Sequence, residues 1–457
     1  QRGVQFDNDS TRIKIIVGEI SLKKENLMWV RREQIIRKII RLQQNELYQL
    51  VQKSLNLLFP FVLIGSISQL IQIIMLNRNS LLPTIFGFSS WLSRYRFIEI
   101  IFDHLTSLTL GIVAALAAFS MAHYTAKRYQ RDEKLASITG LIAYLILTVR
   151  YTNNGELAFG QDMLGMGGLF LGFLVGYLVG LSFKHLANSQ QDKSSSGVTW
   201  NRALDSLRAI IIVLVVAICF SILLNWLAIS VLPDQVILRL QSLKANQTSL
   251  LFSVAIVLLA GIMTFFGLTS MPILAHFGRN GVAMTANLNY ALIHHTIWGV
   301  PYPFSLGTLY ESFGAIGGTG STLSLVIAIF LFSNQRDQQL IGRWSLLPVL
   351  FNFNSAILVG VPVLGNGLYI IPFLLVPLVN IGIAASAIAL HLMPAVVYQV
   401  PLGTPSLLQA LIGTNGNWVT LLVMALNVGI GVWLYRPFVK LSNRLNIQGD
   451  GLDATER

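Results

Sequence analysis

Charged side chains are what this sequence most lacks: Asp, Glu, Lys and Arg together make up 11% of its 457 residues, against 54% hydrophobic ones. A soluble domain of ordinary composition is about a quarter charged, so a water-exposed globule is excluded. A mean hydropathy of +0.64 points the same way, to a polytopic membrane protein. Cysteine is nearly missing. The single Cys219 lies inside an apolar run, which rules out a disulfide framework or a cysteine metal cluster. It reads as a small residue packed on lipid or protein, and neither metal nor cofactor is called for. Acids are fewer than bases, 20 against 32, for a net charge of +12. That excess is not a nucleic-acid footprint, because the basic residues are not interleaved with exposed aromatics on a foldable soluble domain. Eleven of them precede the first apolar run, from Arg2 to Lys53, where they can face a cytoplasm and anionic lipid. No cleavable signal peptide is expected, since the N-terminus is polar for about fifty residues.

What is present is a series of apolar runs. Lys23 to Leu47 alternates Trp29, Ile35, Ile36, Ile39, Ile40 and Leu42 with Arg31, Arg32, Arg37, Lys38 and Arg41, the pattern of a basic amphipathic helix on a membrane surface. It is equally the tail of a larger soluble domain. Ser54 to Leu76 is long enough to span. Arg94 to His104 carries Glu99 and Asp103 at helical spacing, read as an interfacial helix paired with Arg94 and Arg96 rather than as a translocation path. Spans continue at Leu105–Tyr124, Leu135–Val149, Met163–Phe183, Leu207–Leu232 and Leu250–Thr269. In the fourth, Gly168, Gly172, Gly176 and Gly180 recur every four residues, which predicts a close-packing face. Asp234 to Lys244 reads as an amphipathic connector. Basic residues number 11, 4 and 4 in the N-terminus and loops 125–134 and 184–208, but 3, 1 and 2 in loops 77–104, 150–162 and 233–249. The basic side is cytoplasmic, so both termini are expected inside.

Beyond residue 270 the pattern turns irregular. His276, Arg279, Asn280, Asn287, Asn289, His294 and His295 share a stretch with apolar residues, and Pro301-Tyr302-Pro303 leads through Glu311 to Gly317-Gly318-Thr319-Gly320-Ser321-Thr322. The run from Thr322 to Ser333 is too short to cross, and a re-entrant hairpin with the glycines at its tip fits it better. Val400-Pro401-Leu402-Gly403-Thr404-Pro405 opens a second short piece ending at Gly413. Two interrupted segments in corresponding positions predict a binding site between them. Between these lies Phe351 to Phe373, where Asn352 and Asn354 precede an apolar run broken by Gly360, Pro362, Gly365 and Gly367. A broken segment survives in lipid only where it lines a cavity or packs on protein, so it is either a binding-site element or a kinked span. Spans at Trp344–Leu364, Leu368–Leu392 and Trp418–Tyr435 bring the count to roughly ten. His294-His295 has no carboxylate-rich metal spacing around it, and Gly317 to Gly320 follows no strand and lacks a P-loop lysine.

From about Leu50 to Asn443 the chain resembles the membrane subunit, enzyme IIC, of the bacterial phosphotransferase system, of the lactose/cellobiose/chitobiose type. The resemblance rests on Pro60 to Ser66, Pro301 to Thr322, Phe351 to Phe373, Val400 to Pro405 and Tyr435-Arg436-Pro437-Phe438-Val439-Lys440, in the family's order. It implies an all-α fold of about ten transmembrane helices, two re-entrant hairpins and interfacial helices, assembled as a homodimer in the bacterial inner membrane. It further implies a disaccharide held at mid-membrane and presented to a cytoplasmic enzyme IIB that carries the phosphoryl group, so the subunit itself supplies no catalytic residue. Residues 1–49 would form a cytoplasmic segment, 50–245 an oligomerisation-like half, 246–443 a substrate-site-like half and 444–457 a cytoplasmic tail. The family's sugar-site histidine, glutamate and tryptophan fall here on Thr269, Ser355 and Leu402. Serine is no general base and threonine no proton shuttle near neutral pH, and leucine offers no flat face for a pyranose.

Three readings are open. In the first the chain is a sugar permease with an altered pocket in which Thr269, Asn352, Asn354, Ser355 and Glu311 meet the sugar beside Leu402. In the second it is a ligand-sensing or anchoring module that reports to a cytoplasmic signalling domain. In the third it is a proton-coupled carrier, for which Glu311 is the titratable candidate.

Overall fold

A computed structural model describes residues 44–77, 80–87, 96–151, 157–187, 199–231, 250–268 and 281–455. The basic helix expected before residue 44, the connector at Asp234–Lys244, Thr269, His276, Arg279 and Asn280 lie outside them. The chain divides into two units, residues 1–49 and 50–457. In the first, Asn45 Oδ1 accepts the Leu47 N–H at 3.0 Å, an N-cap that starts helix α1 (Glu46–Ile71).

The second unit is built of helices. A π-turn (Gln72–Leu76) continues α1, and α2 (Leu81–Phe86), α3 (Arg96–Thr109) and α4 (Val113–Arg128) come next. The loop after α4 feeds α5 (Glu133–Thr148), whose first turn is capped by Asp132 through the N–H groups of Lys134 and Leu135, both at 3.1 Å. A short hairpin of β1 (Val149–Tyr151) and β2 (Leu157–Phe159), paired antiparallel, stands where the sequence reads as a plain loop. Helices α6 (Leu169–Leu186) and α7 (Thr199–Val231) complete this part.

The four-residue glycine spacing does what it predicts. An added Cβ at Gly172 or Gly176 would strike the carbonyl oxygens of Ala114 or Ala118, and at Gly180 it would meet Thr125 Cγ2 at 2.5 Å. Helices α4 and α6 therefore touch backbone to backbone, with Ala114, Ala118, Ala122 and Ala126 buried on the facing side. In lipid, where burial of apolar surface gives helices no reason to associate, such close van der Waals contact is what holds them.

The C-terminal part begins with α8 (Leu250–Phe265) and α9 (Val282–His294). Asn287 is fully buried on α9 and clamps the backbone of Tyr302, donating to its carbonyl at 2.8 Å and accepting its N–H at 2.9 Å. The clamp satisfies both backbone groups of Tyr302 in an irregular loop. A π-helical segment (Gly307–Gly314) leads through the glycine turn to α10 (Thr322–Phe332), about 16 Å long at 1.5 Å per residue and too short to cross alone. Then come α11 (Arg336–Leu350), α12 (Ser355–Gly360), α13 (Ile370–Ala389), α14 (Ser406–Gly413) and α15 (Trp418–Thr455).

Among the described residues six helical stretches are long and apolar enough to cross a membrane: Glu46–Leu76, Arg96–Arg128, Met166–Leu186, Leu204–Trp226, Ile370–Ala389 and Trp418–Arg444. The fold is thus an all-α polytopic membrane protein. Two details differ from the sequence reading. The expected span at Trp344–Leu364 is not one helix, because α11 stops at Leu350 and only six residues, Ser355–Gly360, resume it. The interfacial helix expected to end at His104 runs on to Thr109, and its Asp103 accepts a 2.8 Å hydrogen bond from Gln72 Nε2.

Candidate functional site

The break after α11 shows how the site is assembled. The N–H of Phe353 bonds the carbonyl of Pro348 at 2.9 Å, and that of Asn352 bonds Val349 at 3.0 Å, while Asn352 sits at φ +69°. This is a Schellman ending, in which the residue just past the cap is left-handed. Glycine usually fills it, and asparagine is among the few other residues that tolerate the conformation. Asparagine adds a side chain that glycine lacks. Its Oδ1 accepts the N–H of Gly317 at 2.9 Å, and two residues on, Asn354 Nδ2 donates to the carbonyl of Thr319 at 2.9 Å. The pair stitches the end of α11 to the glycine turn.

The turn is shaped to receive them. Gly317, Gly318 and Gly320 all have positive φ (+81°, +102° and +83°), and a Cβ at Gly318 would lie 2.7 Å from Asn354 Cγ. A Cβ at Gly320 would run into the Phe373 ring. Behind the turn, Tyr435 Oη donates to the Gly320 carbonyl at 2.6 Å, Ser321 Oγ donates to the Gly314 carbonyl, and Asn380 Nδ2 donates to Ser321 Oγ at 3.1 Å. Asn380 and Asn427, both fully buried, carry this polar backing into α13 and α15. The turn is therefore held by α11 on one side and by α13 and α15 on the other.

The second interrupted segment joins the first. Thr308 Oγ1 donates to the carbonyl of Val396 at 3.1 Å, and Ser406 Oγ donates to that of Leu350 at 3.2 Å. Backbone bonds from Val397 and Tyr398 to Gly413 close it into a hairpin. Stretches 307–322, 350–355 and 396–413 thus meet, as the paired interruptions predict.

The individual residues fare differently. Asn352, Asn354 and Ser355 stand together beside the turn and, like Phe351 and Phe353 around them, are partly exposed. Each asparagine spends one amide atom on the turn and keeps the other for a further partner: a donor on Asn352, an acceptor on Asn354. Glu311 lies partly exposed on the π-helical arm. Leu402 is 48% exposed, and its carbonyl accepts the Leu81 N–H at 3.1 Å in a bridge with Ser80, which ties the second segment to the start of α2. Thr269 lies outside the described residues. The chain leading to it is anchored, since Gly365 N–H donates to the Phe265 carbonyl at 3.0 Å and the Phe265 and Phe373 rings are 5.8 Å apart. Thr319 escaped the sequence reading; its only signal is a side chain amid glycines. His294 and His295 are exposed, with His294 against the Tyr290 ring at 4.3 Å. Among the described residues no group of three His, Cys, Asp or Glu gathers to hold a metal. A carboxylate, hydroxyls and amides, partly exposed among apolar residues, have the chemistry to hold a polyhydroxylated ligand.

A cellobiose-specific EIIC component of Lactococcus lactis subsp. lactis (strain IL1403) is 40% identical over 136 residues, 30% of this chain and 28% of the relative's length. An oligo-beta-mannoside-specific EIIC component of Bacillus subtilis (strain 168) is 24% identical over 417 residues, covering 89% of this chain and 92% of the relative. The crystal structure of ChbC, the IIC component of an N,N'-diacetylchitobiose-specific phosphotransferase system, matches over 90% of this chain and 96% of its own at 21% identity, with a TM-score of 0.41. The family model for the phosphotransferase system EIIC matches residues 52–377. Covering well over half of the sequence, that match places the chain in the EIIC family of the phosphotransferase system.

Proposed function

We propose that the chain is the membrane permease component of a phosphotransferase system for β-linked disaccharides of the cellobiose class. It would hold the sugar beside the joined glycine turn and residues 352–355 and present a hydroxyl to a phosphorylated cytoplasmic EIIB. The observation that carries this reading is the convergence of two interrupted segments and a broken helix on one partly exposed polar patch within an apolar half. Family membership and the cellobiose-specific relative support the substrate class. Residues 50–245 then act as scaffold and 246–443 as the sugar-holding half, with both termini on the cytoplasmic side of the bacterial inner membrane, in keeping with the basic loops.

The pocket departs from the family pattern at Ser355 and Leu402. A hydroxyl in place of a carboxylate and an aliphatic side chain in place of an aromatic face retune the site rather than retire it. The sensing alternative lacks support, since the relatives are named as EIIC components of sugar systems. The test uses membranes containing the full chain, purified phosphorylated EIIB and labelled cellobiose. Formation of cellobiose phosphate that requires both components is expected. Its absence for cellobiose, lactose and chitobiose alike would refute the reading.

A further inference from the structure

Between residues 250 and 444 the sequence contains two acids, Glu311 and Asp337. Asp337 is exposed in the first turn of α11, where a carboxylate is at home beside the helix N-terminus. Glu311 has no such surface position. It lies in the π-helical segment Gly307–Gly314, where every other residue is buried, and it alone is partly exposed. A carboxylate amid apolar walls is costly unless it is solvated or bound, and an ionisable group in such a place marks function by default.

The backbone is arranged to present this side chain. The π-turn is carried by the Ala315 N–H to Tyr310 carbonyl bond at 2.7 Å, and Ser312 Oγ caps Gly307 at 3.1 Å. An i→i+5 turn is rare and inserts a residue relative to the α register, re-aiming the side chains beyond it, and such turns gather at functional sites. Within the arm and turn, the partly exposed positions are Glu311, Ala315 and Thr319. The Tyr310 hydroxyl lies beside Thr319 and within the field of the Glu311 carboxylate. Thr319, in turn, is the residue whose carbonyl Asn354 holds. Through Tyr310, Glu311 thus adjoins the threonine whose carbonyl Asn354 holds.

We propose that Glu311 is the anionic wall of the sugar site and accepts hydrogen bonds from hydroxyls of the bound disaccharide. This rests on the reading that the sugar is held beside the joined glycine turn and residues 352–355. A carboxylate suits that role, because it accepts only, offers both oxygens to adjacent hydroxyls, and forms charge-assisted bonds about twice as strong as neutral ones.

The experiment measures cellobiose binding by calorimetry to the purified full chain, to Glu311→Gln and to Glu311→Asp. The glutamine variant, equal in shape but neutral, is expected to weaken binding about 10- to 100-fold, as loss of a charge-assisted bond implies, with an unchanged elution profile. The aspartate variant should recover part of the affinity. A second measurement needs no variant. A hydrophobic carbodiimide should modify Glu311 in the wild-type chain, located by peptide mass spectrometry, and cellobiose should cut that modification about tenfold at saturating sugar. Wild-type binding with undiminished Glu311→Gln affinity, or modification indifferent to cellobiose, overturns the role of Glu311 alone. Absence of disaccharide binding by the wild-type chain overturns the permease reading and this inference together.

Discussion

Replacing Asn352 separates the two jobs the structure gives it. Its φ of +69° favours a residue that tolerates the left-handed region, and its Oδ1 satisfies the buried Gly317 N–H at 2.9 Å. Asn352→Gly keeps the conformation and loses the bond, leaving an amide without its acceptor. The cost is about 1–3 kcal/mol for the orphaned N–H, plus about 0.5–1 kcal/mol for the freer unfolded chain. Asn352→Ala loses the same bond and also the short polar side chain that lets asparagine tolerate the left-handed region, which exposes the roughly 1–2 kcal/mol a Cβ costs there. The alanine variant should therefore be the weaker by a margin that the missing hydrogen bond cannot explain. Heating the purified proteins and following the monodisperse fraction by size exclusion gives the order wild type, then glycine, then alanine. A glycine variant as stable as wild type would refute the stitch. An alanine variant more stable than glycine would refute the strained ending.

Two further perturbations test the packing that carries the site. Gly176→Leu should abolish folded protein, because its first added carbon already strikes the Ala118 carbonyl and further atoms have nowhere to go between α4 and α6; normal yield with a wild-type elution profile would contradict that contact. Tyr435→Phe removes only the 2.6 Å bond to the Gly320 carbonyl. It should cost about 1 kcal/mol of stability and weaken sugar binding through a looser turn, so a variant identical to wild type in melting and in calorimetry would show the turn to be held without it.

Much of this arrangement can be read in the residues. Apolar runs separated by basic loops define the long helices, and glycines spaced by four define the α4–α6 contact, since both signals are local periodicities. The broken character of 351–373 is visible too, because glycine and proline interrupt a helix wherever they occur. Its partner is not visible. Asn352 and Asn354 read as ligand contacts, yet each first bonds the backbone of a turn 35 residues away. No short-range pattern encodes that pairing. The π-turn at Glu311 is equally hidden, as an i→i+5 bond leaves no residue signature and is fixed by what packs around it. Leu402 reads as a vacant sugar platform, but its backbone is engaged with Leu81, a contact between parts of the chain more than 300 residues apart. The end of α11 is concealed for a similar reason. Phe351 to Phe353 is as apolar as a helix interior, and only the left-handed Asn352 shows that the helix has stopped.

Thr319 offers the most direct check on where the sugar sits. It is partly exposed at the turn, and Cys219 is the chain's single cysteine, so Thr319→Cys in a Cys219→Ala background carries one thiol at the proposed cleft. Its rate of reaction with a small maleimide should fall sharply when cellobiose is added and stay unchanged with an equal concentration of mannitol. A thiol that reacts equally fast with cellobiose bound would contradict a sugar site beside the glycine turn and residues 352–355.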